Sequence, residues 1–129
     1  MKKSIKIYKQ GLKIKIKEDG SPVTNGDIEV NKIITDKIKI LTPNIPIVSE
    51  ETVDLTKKNK FKTYWLIDPI DGTKSFICGI PLYSTLVGIE YQGAAVIGVI
   101  HLPALNETVY ASRSQGAWHL IGSSAPIPA

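Results

Sequence analysis

The sequence predicts an α+β fold, a mainly antiparallel sheet with a helix packed on it, and three observations lead there. Val30, Ile33, Ile34, Ile38 and Leu41 recur at the spacing of one helix face. Two strand-like runs, 82–91 and 94–102, flank the turn dipeptide Gln92-Gly93 and read as a hairpin. A further pair, 108–111 and 117–120, is separated by Gln115-Gly116 and reads the same way.

Composition sets the outer limits. A chain of 129 residues, 43% hydrophobic and 22% charged, is one domain of ordinary globular type. The net charge of +4 is unevenly spread: residues 1–17 hold seven lysines and no acid, and the rest holds nine basic and twelve acidic residues. Such a basic start suits nucleic acid or an anionic membrane, or else a solvated, lysine-flanked edge strand. A lone aromatic residue, Tyr8, among the lysines does not support nucleic-acid binding, so no nucleic-acid partner is expected. The single Cys78 allows no intrachain disulfide and reads as a small core residue. The longest apolar run, 94–100, is too short for a transmembrane segment. These features together predict a cytoplasmic protein, with peripheral association at the inner membrane left open.

In chain order, Lys13-Ile14-Lys15-Ile16-Lys17 alternates with period two and forms an amphipathic strand. Residues 18–22 turn the chain. A helix runs from Thr24, where Asp27 completes a capping box, to Thr42-Pro43. Residues 45–49 form an apolar strand that ends on Glu50-Glu51, and polar residues 51–62 form a mobile loop beside it. Residues 64–67 are bulky and apolar without alternation, the mark of an interior strand. Gly79-Ile80-Pro81 stops a short helix begun at Thr73, and Val96 to Ile100, apolar on both faces, belongs at the sheet centre. Trp65 and Trp118 are expected to fill core, and His101 and His119 to be hydrogen-bonded structural residues.

The chemistry concentrates where the 64–67 strand ends. Asp68 and Asp71 flank Pro69, which fixes a backbone dihedral, and Gly72 follows, which permits a conformation denied to side chains. Both carboxylates can therefore converge on one point. Two anions forced together repel, and a divalent cation offsets that repulsion. With the Ile70 carbonyl they form an all-oxygen set that suits Mg²⁺. The unpaired N–H groups of a helix starting at Thr73 favour a phosphate at the same place. A surface turn with N-capping aspartates is the plain alternative for this motif alone. Glu50-Glu51, at the end of a second apolar strand, adds the carboxylate that a metal-assisted hydrolase needs for its water.

Ser49-Glu50-Glu51 followed by Trp65-Leu66-Ile67-Asp68-Pro69-Ile70-Asp71-Gly72-Thr73 resembles the inositol monophosphatase superfamily of Mg²⁺-dependent phosphatases. Ser21-Pro22-Val23-Thr24, the stretch 41–51 and Asp71-Gly72-Thr73-Lys74-Ser75-Phe76 are most similar to its CysQ-type 3'(2'),5'-bisphosphate nucleotidases. The resemblance implies the N-terminal part of that family's layered fold. It also implies metal ligands at Glu50, Asp68, Ile70 and Asp71, and substrate contacts at Ile70, Asp71, Gly72 and Thr73. Glu50, Thr73 and Asp27 take the catalytic positions, with Asp27 hydrogen-bonding Thr73 and so orienting the attacking water. The implied reaction is removal of the 3'-phosphate from 3'-phosphoadenosine 5'-phosphate to give AMP. A phosphorylated small molecule is thus the expected partner, an adenosine bisphosphate first and an inositol monophosphate as the alternative.

Members of the superfamily are longer, and their C-terminal half supplies another metal-binding aspartate. The resemblance therefore makes residues 1–121 a truncated N-terminal domain with a shortened N-terminal helix, and residues 122–129 a frayed tail. An open flank follows, through which self-association is expected. The competing expectation is a truncated, inactive remnant that binds metal or phosphate weakly.

Overall fold

The computed structural model describes residues 3–51 and 60–129. The loop expected at 51–62 lies mostly outside the described residues. The chain begins with helix α1 (Lys3–Gln10), then a two-stranded antiparallel ribbon of β1 (Ile14–Ile16) and β2 (Pro22–Thr24). Helix α2 (Asn25–Leu41) follows, then β3 (Ile47–Ser49), β4 (Thr63–Asp71) and the short α3 (Thr73–Ile77). The chain continues as β5 (Ser84–Tyr91), β6 (Ala94–Leu102), β7 (Glu107–Ser112), β8 (Gly116–Ile121) and β9 (Ile127–Pro128). Strands β3 to β9 form one seven-stranded sheet in sequence order, antiparallel except for the β3–β4 pair. The expected α+β class, both hairpins and the central place of β6 hold.

Helix α2 starts where its cap directs. The Thr24 side chain accepts from the Gly26 and Asp27 N–H groups, and Asp27 Oδ2 accepts from Thr24 N–H at 2.8 Å. Satisfying these first donors on both sides fixes the helix entry. The buried face differs from the apolar stripe in one respect: Asn31 and Thr35 are buried, while Leu41 is exposed. Both polar groups are satisfied. Ser49 Oγ donates to Asn31 Oδ1 at 2.5 Å, and Thr35 Oγ1 donates to the Asn31 carbonyl at 2.9 Å.

Strand β4 extends beyond the turn that the sequence suggests. It passes through the fully buried Pro69 to Asp71, with a register shift against β5 between Asp68 and Asp71. Proline cannot donate to a ladder, so a bulge is where it is tolerated. The Pro69 carbonyl accepts from Thr85 Oγ1 at 2.9 Å. A small core of Ile70, Phe76 and Tyr83, with Leu12 against it, closes around α3. The Phe76 and Tyr83 rings lie 4.9 Å apart, and Tyr8 of α1 meets Phe76 at 5.8 Å.

Three local expectations need correction. Cys78 is exposed rather than in the core, because it caps α3 at the surface. Trp65 and Trp118 are half-buried. Their indole N–H groups bond Thr42 Oγ1 and the Gln115 carbonyl, so each ring keeps a polar edge at the surface. The segment 122–129, expected to fray, contributes β9, which pairs His119 with Ile127 and Trp118 with Pro128. Proline is acceptable there because β9 is an edge strand. Leu66, Ile97 and Ile100 remain exposed on the sheet.

Candidate functional site

The parallel pairing of β3 with β4 builds the site. Ser49 lies opposite Ile67, and Glu50 N–H donates to the Ile67 carbonyl, so the next residues along the two strands, Glu50 and Asp68, emerge side by side. Antiparallel pairing would have put them at opposite ends. Buried Ser49, tied to Asn31 of α2, fixes this end of β3 from below.

Among the described residues, Asp68 is strongly perturbed. Its Oδ1 is buried with no hydrogen-bond partner among the described residues. Burial, then the negative charges of Glu50, Asp71, Asp27 and Glu51, push its carboxyl up to about 7. Glu50 is raised too, chiefly by burial; Lys17 acts against the rise, while Glu51, Asp71 and Asp27 add to it. The surrounding negative charges thus make Asp68 and Glu50 harder to ionise. An orphaned buried oxygen within an all-oxygen, negatively charged set fits a hard divalent cation. Among the described residues, however, no group of three or more such side chains is drawn to metal-holding spacing.

The glycine turn completes the site. Gly72 takes φ +83°, and a Cβ there would stand 3.3 Å from the Leu82 carbonyl oxygen, so both backbone and space call for glycine. Thr73 Oγ1 lies 3.1 Å from Asp27 Oδ1 and 3.1 Å from the Ile70 carbonyl oxygen. Asp27 therefore serves the helix cap through Oδ2 and the glycine turn through Oδ1. A pocket of about 270 Å³ opens here, lined by Lys17, Ser21, Glu50, Glu51, Gly72 and Thr73, among others. A wider apolar groove of about 470 Å³ runs from Glu50 and Asp68 across Leu86 and Ile100.

Of the sequence-derived site residues, Glu50 and Asp68 stand at adjoining strand ends, Ile70 and Asp71 end β4, Gly72 and Thr73 form the turn that follows, and Asp27 is hydrogen-bonded to Thr73. Sequence reasoning missed Lys17, whose Nζ pairs with Glu51 Oε1 at 2.9 Å. It also missed Asn31. The i, i+4, i+8 series Asp27, Asn31, Thr35 was the available signal, a polar line within a helix face that packs on a sheet. His101 and His119 are hydrogen-bonded to Thr108 and Glu107.

Comparison with known proteins agrees with the fold. Residues 1–127 match the profile described as the inositol monophosphatase family. A 3'(2'),5'-bisphosphate nucleotidase CysQ of Aggregatibacter actinomycetemcomitans is 42% identical over 113 residues, 86% of this chain and 42% of the relative. A histidinol-phosphatase of Chlorobaculum parvum is 37% identical over 121 residues, 94% of this chain and 46% of the relative. The solved Thermotoga maritima IMPase superposes with a TM-score of 0.79 at 34% identity, covering 90% of this chain and 45% of that one. The chain spans less than half the length of these proteins.

Proposed function

The chain belongs to the inositol monophosphatase family, and on that footing we propose that it serves Mg²⁺-dependent hydrolysis of a phosphomonoester. The proposed reaction removes the 3'-phosphate of 3'-phosphoadenosine 5'-phosphate to give AMP. The observation that carries this reading is the buried Asp68 Oδ1, which has no hydrogen-bond partner among the described residues and stands on the strand end adjoining that of Glu50. Likeness to the CysQ nucleotidase over most of the chain supports the nucleotide substrate.

In this reading Glu50, Asp68, Asp71 and the Ile70 carbonyl hold Mg²⁺. When bound, the ion supplies charge neutralisation for the phosphate and lowers the pKa of a water beside it. Glu50 accepts a hydrogen bond from the attacking water. Thr73, fixed by Asp27, orients that water from the other side. The N–H groups of the Gly72-Thr73 turn hold the phosphate oxygens as charge develops on them. The water oxygen bonds to phosphorus and gives up one proton, the ester P–O bond breaks, and the ribose oxygen takes up one proton in exchange, so AMP and inorganic phosphate form.

The test is phosphate release from 3'-phosphoadenosine 5'-phosphate, inositol 1-phosphate and histidinol phosphate, each with MgCl₂ or with EDTA. Mg²⁺-dependent release from the nucleotide, lost in Asp68→Asn, is the expected result; Mg²⁺-dependent turnover retained in that variant rules out the ligand assignment. The absence of three carboxylates at metal-holding spacing among the described residues favours a second reading, a chain that binds metal or phosphate weakly without turnover. A soluble monomer on size-exclusion chromatography with no release at raised Mg²⁺ would select it.

A further inference from the structure

One ion pair ties the N-terminal ribbon to the acidic end of β3. Lys17 directly follows β1, and its Nζ lies 2.9 Å from Glu51 Oε1, 34 residues further along. The Glu51 side chain is 6% exposed, so its charge has little access to water, and among the described residues its ion-pair partner is Lys17. Glu51 N–H also donates to Ser49 Oγ at 3.3 Å. Lys17 lines the same pocket as Glu50, Gly72 and Thr73. The other ion pairs among the described residues lie elsewhere: Lys32–Asp36 within α2, and His119–Glu107 between β8 and β7.

We infer that Lys17 is a positioning residue: through Glu51 it clamps the end of β3 to the ribbon and keeps Glu50 facing Asp68. Its consequence for an ion rests on the metal-dependent reading above; the clamp itself does not. Removing the lysine has two effects of opposite sign. Loss of a cation beside Glu50 and Glu51 deepens the local negative potential and favours a divalent ion. Loss of the clamp leaves a buried carboxylate unpaired, and Glu51 turns towards water, carrying Glu50 with it. Lys17 is partly exposed, so its through-space attraction is screened, whereas partners behind a metal ligand commonly account for about 10–100-fold in affinity. The second effect prevails.

Lys17→Met keeps the aliphatic stem without the charge, Lys17→Arg restores the charge, and Glu51→Gln removes the need for a partner. In metal-free protein, amide hydrogen exchange at Glu50 and Glu51 is expected to quicken several-fold in Lys17→Met and to return towards the parent rate in Lys17→Arg. Titration calorimetry with MgCl₂ is expected to show about tenfold weaker binding in Lys17→Met, with no further loss when that change is added to Glu51→Gln. Unchanged exchange, or Mg²⁺ bound as tightly as by the parent or tighter, overturns the clamp. A parent chain that binds no Mg²⁺ overturns the metal-dependent reading instead, and exchange at 50–51 then decides the clamp alone.

Discussion

Thr73 Oγ1 lies 3.1 Å from Asp27 Oδ1, a hydrogen bond between residues 46 positions apart that pins the glycine turn to the first turn of α2. Asp27 is 1% exposed and its other oxygen is taken by Thr24, so the carboxylate has little freedom to turn away. One side chain thus links the helix cap to the glycine turn.

Thr73→Val removes that hydroxyl and keeps the shape. It is expected to cost about 1 kcal/mol of stability, the usual net worth of one hydrogen bond, read as a lower urea midpoint. Thr73→Ser, which keeps the donor, should stay close to the parent. Asp27→Ala loses the cap as well and should cost about 2 kcal/mol.

Asp68→Asn replaces a carboxyl whose Oδ1 is buried without a partner among the described residues and which carries its charge in the metal-free fold only above about pH 7. Above about pH 7 the variant is expected to melt higher than the parent in EDTA, and to lack the rise in Tm that the proposed Mg²⁺ site predicts for the parent in MgCl₂. Differential scanning calorimetry with and without the ion reads both effects. A parent-like Mg²⁺ response in the variant would place the cation elsewhere.

The same carboxyl sets a pH dependence. In the unfolded chain Asp68 loses its proton near its ordinary value of 3.8, whereas in the fold it does so at about 7. Between these values the native state binds the extra proton, so metal-free stability falls as pH rises from about 4 to about 7 and then levels off. Melting temperatures in EDTA across that window should show the decline, and the slope should be shallower in Asp68→Asn.

Gly26 in α2 sits against the ring of Phe76, and a Cβ there would stand 2.8 Å from its Cε1. Phe76 is 1% exposed and cannot swing away. Gly26→Ala gains up to about 1 kcal/mol in helix propensity, but overpacking of this kind costs about 1–3 kcal/mol. Net destabilisation is expected, seen as a lower urea midpoint; a more stable variant would mean that the α2–α3 contact is looser than these distances imply.

Local pattern alone determined a good deal of this protein. The helical recurrence from Val30 to Ile38, the Thr24–Asp27 box, the hairpin at Gln92-Gly93 and the acidic exits of two apolar strands depend on neighbours in the chain, so their physics is readable along it. Asp68, Asp71, Gly72 and Thr73 were legible for the same reason, since proline and glycine constrain the backbone between them. What only the tertiary structure decided was which distant groups meet. The parallel direction of β3 against β4 puts Glu50 beside Asp68, and nothing local to either strand sets that direction. The Lys17–Glu51 pair, the Ser49–Asn31 bond and the exposure of Cys78 likewise follow from how elements pack. Burial and charge proximity are properties of the assembled fold, and it is those that leave Asp68 with a proton it would otherwise shed.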